Sequence, residues 1–173
     1  LKKTDSFWKL AYLAITGVVF AIDQITKVWA LRGLRSEGDI GVIDRFLNFA
    51  YTHNTGVAFS LFDDGGEMGR WALSTVAVAA AVFVLYFFWR TPVTDKRVLG
   101  GLAFLLAGIV GNVTGRLQYG FVVDFIDVQL GSWHYPTFNV ADIAIWIGAG
   151  LLILDMVLTR KLKSAPEEEA SAV

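Results

Sequence analysis

The stretch Gly111–Ile145, GNVTGRLQYGFVVDFIDVQLGSWHYPTFNVADIAI, joins the ends of two strongly apolar runs and holds most of the polar side chains near membrane depth. Asn112, Gly115 and Arg116 fall at i, i+3 and i+4, one face of a helix, and Asn139 and Asp142 fall at i and i+3, again one face. A carboxylate set among amides and a guanidinium is costly in lipid and points to proton transfer or an ion path. Asp23 and Lys27, four apart on one helix face, and Asn54 belong with this set. Structural uses stay open beside the chemical one. Arg116 paired with Asp142 or Asp124 would tie two helices together, and Asp23–Lys27 would neutralise itself near the membrane surface instead of facing a site.

Other chemistries find less support. The chain has no cysteine, which removes thiol nucleophiles, iron–sulfur clusters and disulfides. His53 and His134 could join a metal with Asp124 or Asp127, but no ligand spacing supports it, while carboxylates alone could still bind one. Ser60 and Ser132 lack a lysine or histidine base, and the Gly108–Gly111 spacing suits helix packing because no Lys-Ser/Thr follows it. A net charge of −1 argues against a nucleic-acid partner. A small proton-coupled transporter using Asp142 and Asp23 would need polar residues continuing towards the other membrane face, where almost none stand.

The elements that must position these groups are membrane helices. With 55% hydrophobic and only 18% charged residues, the chain is too apolar for an ordinary soluble domain of its length. Four runs are long enough to cross a hydrocarbon core of about 30 Å: Leu10–Leu31, Trp71–Trp89, Val98 to about Leu117, and about Phe138 to Leu158. The first is expected to be retained, because it runs past Asp23 and Lys27 with no cleavage signal after it. Ile40–Ile43 and Phe46–Tyr51 are β-prone runs around a turn at Asp44-Arg45. Gly56 permits a tight path in Asn54–Ser60, and Asp63–Glu67 reads as a flexible loop. Phe121–Val128 alternates poorly and fits a short amphipathic helix or a strand.

Residues 1–163 form one four-helix unit, and the Ala/Glu/Ser-rich tail at 164–173 is expected to be disordered. Lysines and arginines at 2, 3, 9, 90, 96, 97, 160, 161 and 163 fall on one side of a four-span chain, and the acidic excursions on the other. The positive-inside rule then places both termini in the cytoplasm and brings every polar group above to one depth, just under the outer surface.

The motifs Asp23-Gln-Ile-Thr-Lys27, Asn54-Thr-Gly-Val-Ala-Phe-Ser60, Gly111-Asn112 with Arg116, Val122-Val-Asp-Phe-Ile-Asp127 and Phe138-Asn-Val-Ala-Asp142, in that order, resemble lipoprotein signal peptidase (signal peptidase II), a bacterial membrane aspartic endopeptidase family. The resemblance covers residues from about 10 to 160. It implies a mainly α membrane fold of four transmembrane helices with a small extracytoplasmic β-cradle and an interfacial periplasmic helix, multi-pass in the bacterial inner membrane. It further implies a monomer that cuts diacylglyceryl-modified prolipoproteins just before the lipidated cysteine. Also implied are membrane-lipid contact, inhibition by globomycin-type cyclic peptides, a pair of catalytic aspartates with no metal or organic cofactor, and a site lined by Asp23, Lys27, Asn54, Asn112, Arg116, Asp124 and Asn139.

One position departs from the family pattern. The family's third motif, Gly-Asn-x-x-Asp-Arg, carries one of the two catalytic aspartates on that reading, and here it is Gly111-Asn-Val-Thr-Gly-Arg116. Asp142 matches the second aspartate, while Gly115 stands where the first is expected. Losing one general acid or base costs on the order of 10²–10⁴ in rate, so severely reduced activity is expected. The alternatives are a non-catalytic binder of lipidated precursors, an inactivated trapping variant, or replacement of the missing carboxylate by Asp124, which would need an unusual loop path.

Overall fold

The computed structural model describes residues 3–56, 66–131 and 133–170. Ser60, Ser132 and most of the loop expected at Asp63–Glu67 lie outside the described residues. Four long helices carry the spans: α1 (Lys3–Arg32), α3 (Gly66–Arg90), α4 (Lys96–Tyr119) and α5 (Val140–Ala170). Between them lie a one-turn helix, α2 (Leu34–Glu37), and the strands β1 (Ile40–Ile43), β2 (Leu47–Asn54), β3 (Val122–Leu130) and β4 (Trp133–His134). Each long helix includes a stretch apolar and long enough to cross a membrane.

α4 is the hub. Inside the protein, 61% of its apolar window is buried, against 17% for α3 and α5 and 6% for α1. Lipid offers no hydrophobic drive for helices to associate, so close backbone packing must supply the attraction, and glycines permit it. A Cβ at Gly148 on α5 would lie 2.6 Å from the carbonyl oxygen of Gly101 on α4, and one at Gly108 would collide with the carbonyl of Ala141. Two polar ties reinforce the bundle at the end away from the sheet. Arg97 Nε bonds Asp155 Oδ1 at 3.0 Å, and the buried Lys9 donates its Nζ to the Trp89 carbonyl at 2.6 Å.

The strands form one antiparallel sheet in the order β1-β2-β3-β4. The hairpin turns where the sequence predicts, at Asp44-Arg45, with Arg45 in the left-handed region at φ 58°. Phe121–Val128 resolves as strand, and Val122 to Phe125 are all buried. Burial on both faces removes the alternation that marks a half-exposed strand, which explains the poor periodicity. Trp29, Phe49 and Phe125 lock the sheet onto α1 through edge-on and tilted aromatic contacts.

A bulge in β2 sets what faces β3. Before it Phe49 pairs with Ile126; past it Thr52 pairs with Asp124 and Asn54 with Val122. In the earlier register residue 51 would stand opposite Asp124 and His53 opposite Val122, so the extra residue is what gives Asn54 the same face as Asp124. At the other end of the chain, α5 spans Val140–Ala170.

The packing predicts an asymmetry between glycines. Gly108→Ala should destabilise the fold by about 1–3 kcal/mol through overpacking, lowering the thermal midpoint in detergent. Gly150→Ala, where nothing lies within 4 Å of the added carbon, should be neutral or stabilising by up to about 1 kcal/mol.

Candidate active site

The site begins with a helix cap. Asn139 precedes the first residue of α5, and its Oδ1 accepts the backbone N–H of Asp142 at 3.1 Å. In return Asp142 Oδ2 accepts the backbone N–H of Asn139 at 3.1 Å. This reciprocal capping box satisfies donors that every helix N-terminus leaves orphaned and gives the Asn-x-x-Asp spacing a structural cause. A third donor, the Ala141 N–H, goes to Asp23 Oδ1 at 2.8 Å, so α1 caps α5.

The cap leaves Asp142 Oδ1 free to accept Asn112 Nδ2 at 2.8 Å. The orientation of the Asn112 amide is dictated by Lys27, whose ammonium can only donate. Lys27 Nζ lies 2.9 Å from Asn112 Oδ1, 2.9 Å from Asp23 Oδ2 and 3.3 Å from the Gly111 carbonyl. The oxygen of Asn112 must therefore face Lys27 and its NH₂ must face Asp142. Gln24 completes the cluster by donating to Asp23 Oδ2 at 2.9 Å. Asp23 and Lys27 neutralise one another as an i, i+4 pair, and both are buried, facing the bundle.

Asp124 enters from β3. Its Oδ1 accepts Asn139 Nδ2 at 2.6 Å and its Oδ2 accepts Asn54 Nδ2 at 2.8 Å. Asn139 Nδ2 also lies 3.2 Å from Asn112 Oδ1. Asp124 and Asp142 thus stand on either side of one amide, Asn139, which contacts both. Burial, with the Asp142 charge adding to it and the amide donors opposing it, pushes the Asp124 carboxyl from its ordinary 3.8 up to about 6. Asp142 is half-buried while Asp124 is buried. A cavity of about 310 Å³ opens over Asp124, lined by Thr52, His53, Asn54, Gly56, Pro136 and Thr137 among others.

The remaining candidates fall around this pair. Gly115 is buried, and a Cβ there would meet the Phe121 carbonyl oxygen at 3.2 Å and Val122 Cα at 3.6 Å, with no atom of Asp142 within 4 Å. The position abuts the entry of β3. Arg116 forms no ion pair with Asp124 or Asp142 among the described residues, and its Nε is buried there without a hydrogen-bond partner. Its guanidinium lies beside Gly56, 3.6 Å from where a Cβ would stand. The helix-tying reading of Arg116 is therefore not what the geometry displays.

The two histidines stand apart from each other, His53 on the rim of the cavity over Asp124 and His134 on β4. His53 bonds the Tyr51 hydroxyl and packs on Phe121, while His134 Nδ1 sits 3.4 Å from Asp127 Oδ1. Sequence reasoning passed over Gln24 and set Asp124 at the margin. The available signal was a carboxylate within Val-Val-Asp-Phe-Ile, where an apolar strand must bury it.

With this geometry in place, comparison with known proteins is unambiguous. The family model described as signal peptidase (SPase) II matches residues 15–158, and the chain belongs to that family. A lipoprotein signal peptidase of Alteromonas mediterranea is 39% identical over 155 residues, covering 90% of this chain and 85% of the relative. One from Paraburkholderia phymatum is 41% identical over 144 residues, covering 83% and 86%. A bacterial membrane enzyme solved by the in meso method at 2.3 Å superposes with a TM-score of 0.78 at 26% identity, covering 89% of this chain and 92% of that one. The fold is that of a membrane protease, as the motifs imply.

Two measurements probe the site. Lys27→Met strands the buried Asp23 carboxylate and should cost about 3–5 kcal/mol in unfolding experiments, with loss of the Asn112–Asp142 bond. The raised Asp124 value also has a signed consequence. The folded chain holds that proton more tightly than the unfolded one, so this share of stability is complete below about pH 4 and lost as pH rises through about 6. The thermal midpoint should fall over that window, and Asp124→Asn should remove that part of the slope.

Proposed function

We propose that the chain cleaves diacylglyceryl-modified prolipoproteins just before the lipidated cysteine, and that Asp124 and Asp142 are its working pair. The observation that carries this reading is the shared Asn139, whose amide and backbone contact both carboxylates. Two carboxylates held this close do not both ionise cheaply, so one keeps a proton while the other acts as base. Asp124, raised by burial to about 6, takes up the shared proton more readily than an ordinary carboxyl and serves as the acid, and Asp142 is the base.

Asp142 takes a proton from water as the water oxygen bonds to the scissile carbonyl carbon. Asp124 gives its proton to the carbonyl oxygen, producing a tetrahedral diol. Collapse breaks the C–N bond. The carbonyl re-forms by returning a hydroxyl proton to Asp124, and Asp142 passes its proton to the leaving amine of the lipidated cysteine. Water is consumed and both aspartates are restored.

The expectation of severely reduced activity rests on Gly115 holding a catalytic position. The backbone of β3 faces Gly115, and a second carboxylate is already present from that strand, which favours an active enzyme. We further propose the orientation given by the basic residues, with both termini cytoplasmic and the site at the outer face of the inner membrane. Acyl chains then remain in lipid while the scissile bond meets water. On this reading the enzyme works as a monomer, and globomycin-type cyclic peptides compete for the same site.

Cleavage of a lipidated lipobox peptide by purified protein in detergent tests the pair. Asp124→Asn and Asp142→Asn should each lower the rate by at least 10² while leaving the fold intact, and Gly115→Asp should change it by less than about tenfold. A large gain in Gly115→Asp, or tight binding by wild type without cleavage, would instead favour the impaired-enzyme or binding-protein reading.

A further inference from the structure

We propose that the apolar groove between α1 and α3 holds one acyl chain of the substrate's diacylglyceryl group, with Arg116 at its mouth meeting the glyceryl ester carbonyls. This rests on the peptidase reading above. α1 and α3 each pack on α4 and barely touch one another, which leaves a trough floored by α4. Its volume is about 320 Å³, and its walls include Thr16 from α1, Val78, Val82 and Leu85 from α3, and Val110 and Val113 from α4. The only hydroxyl among the lining side chains, Thr16 Oγ1, is already spent on the Ala103 carbonyl at 3.0 Å. Nothing along the trough asks for a polar ligand.

Its two ends differ. Towards the end away from the sheet, Lys9 ties α1 to the last turn of α3 through the Trp89 carbonyl, holding the helices together below the trough. At the other end the α4 stripe Leu106, Val110, Val113 continues three residues on to Arg116. The Arg116 Nε is buried without a hydrogen-bond partner among the described residues, and its guanidinium lies beside Gly56, which lines the cavity over Asp124. A matching ligand is apolar along its length and ends in hydrogen-bond acceptors beside the carboxylate pair. A diacylglyceryl thioether has that form, and it is attached to the residue whose amide nitrogen leaves.

The gain is in position. An acyl chain leaving bilayer for groove exchanges one apolar surrounding for another, so packing rather than hydrophobic transfer holds it. A chain fixed at a set depth places the scissile bond over the carboxylates. The groove therefore acts on kcat/KM for substrates whose chains are long enough to enter it.

Two lipopeptides differing only in their esters, dipalmitoyl and diacetyl, separate this from other readings. In phosphatidylcholine nanodiscs, Val82→Trp should lower kcat/KM for the dipalmitoyl substrate about tenfold and leave the diacetyl substrate within about twofold. Val76→Trp, on an exposed part of α3 outside the groove, should change neither. Equal loss on both substrates, or no loss on either, overturns the proposal. So does a bilayer phospholipid as occupant, which would make the Val82→Trp thermal midpoint depend on lipid chain length while the substrate preference stayed unchanged. If wild type cleaves neither substrate, the peptidase reading fails, and binding of a fluorescent dipalmitoyl lipopeptide decides the groove separately. Weaker binding in Val82→Trp alone supports it, and equal binding in both variants and wild type sinks it.

Discussion

The buried Lys27–Asp23 pair is the interaction on which the rest of this architecture depends. An ion pair at membrane depth survives only if its remaining donors and acceptors are also met. Here they are met by the very groups that build the site. Asp23 caps α5 at Ala141, and Lys27 turns the Asn112 amide towards Asp142. Gly111 has no side chain where Asp23 comes in, since a Cβ there would lie 2.6 Å from Asp23 Oδ2. Polar satisfaction and helix packing are thus one problem with one solution, and the site is the place where it is solved.

The sheet is the second half of that solution. Asp124 reaches Asn139 because β3 follows directly after the C-terminal turn of α4, where Gly120 takes the left-handed conformation at φ 85°. Asn54 reaches Asp124 because β2 carries a bulge. Glycine at 115 belongs to the same arrangement, since it lets the start of β3 lie close against the hub helix. Strand, turn and bulge deliver a carboxylate to a place that a helix-only bundle would have to fill from its own surface.

Much of this was legible in the residues, and the limits have physical causes. The four spans follow from long apolar runs, and the hairpin follows from β-prone segments around Asp44-Arg45. The meeting of Asn112, Asn139 and Asp142 follows from helical spacing and common depth. The standing of Asp124 did not, because strand register joins residues about seventy apart and a one-residue bulge decides it. β3 hides its own character, since a strand buried on both faces does not alternate.

The framework linking the two aspartates is made of asparagine side chains, at 54, 112 and 139. An amide has no proton to gain or lose across the physiological range, so it presents the same dipoles whichever aspartate is charged. On the proposed mechanism, a proton moves between water, substrate and carboxylates while the surrounding dipoles stay in place. Dipoles that need not reorient add little reorganisation energy to the barrier. On that mechanism, the rigidity demanded by burying polar groups in a membrane becomes a fixed electric field around a mobile proton.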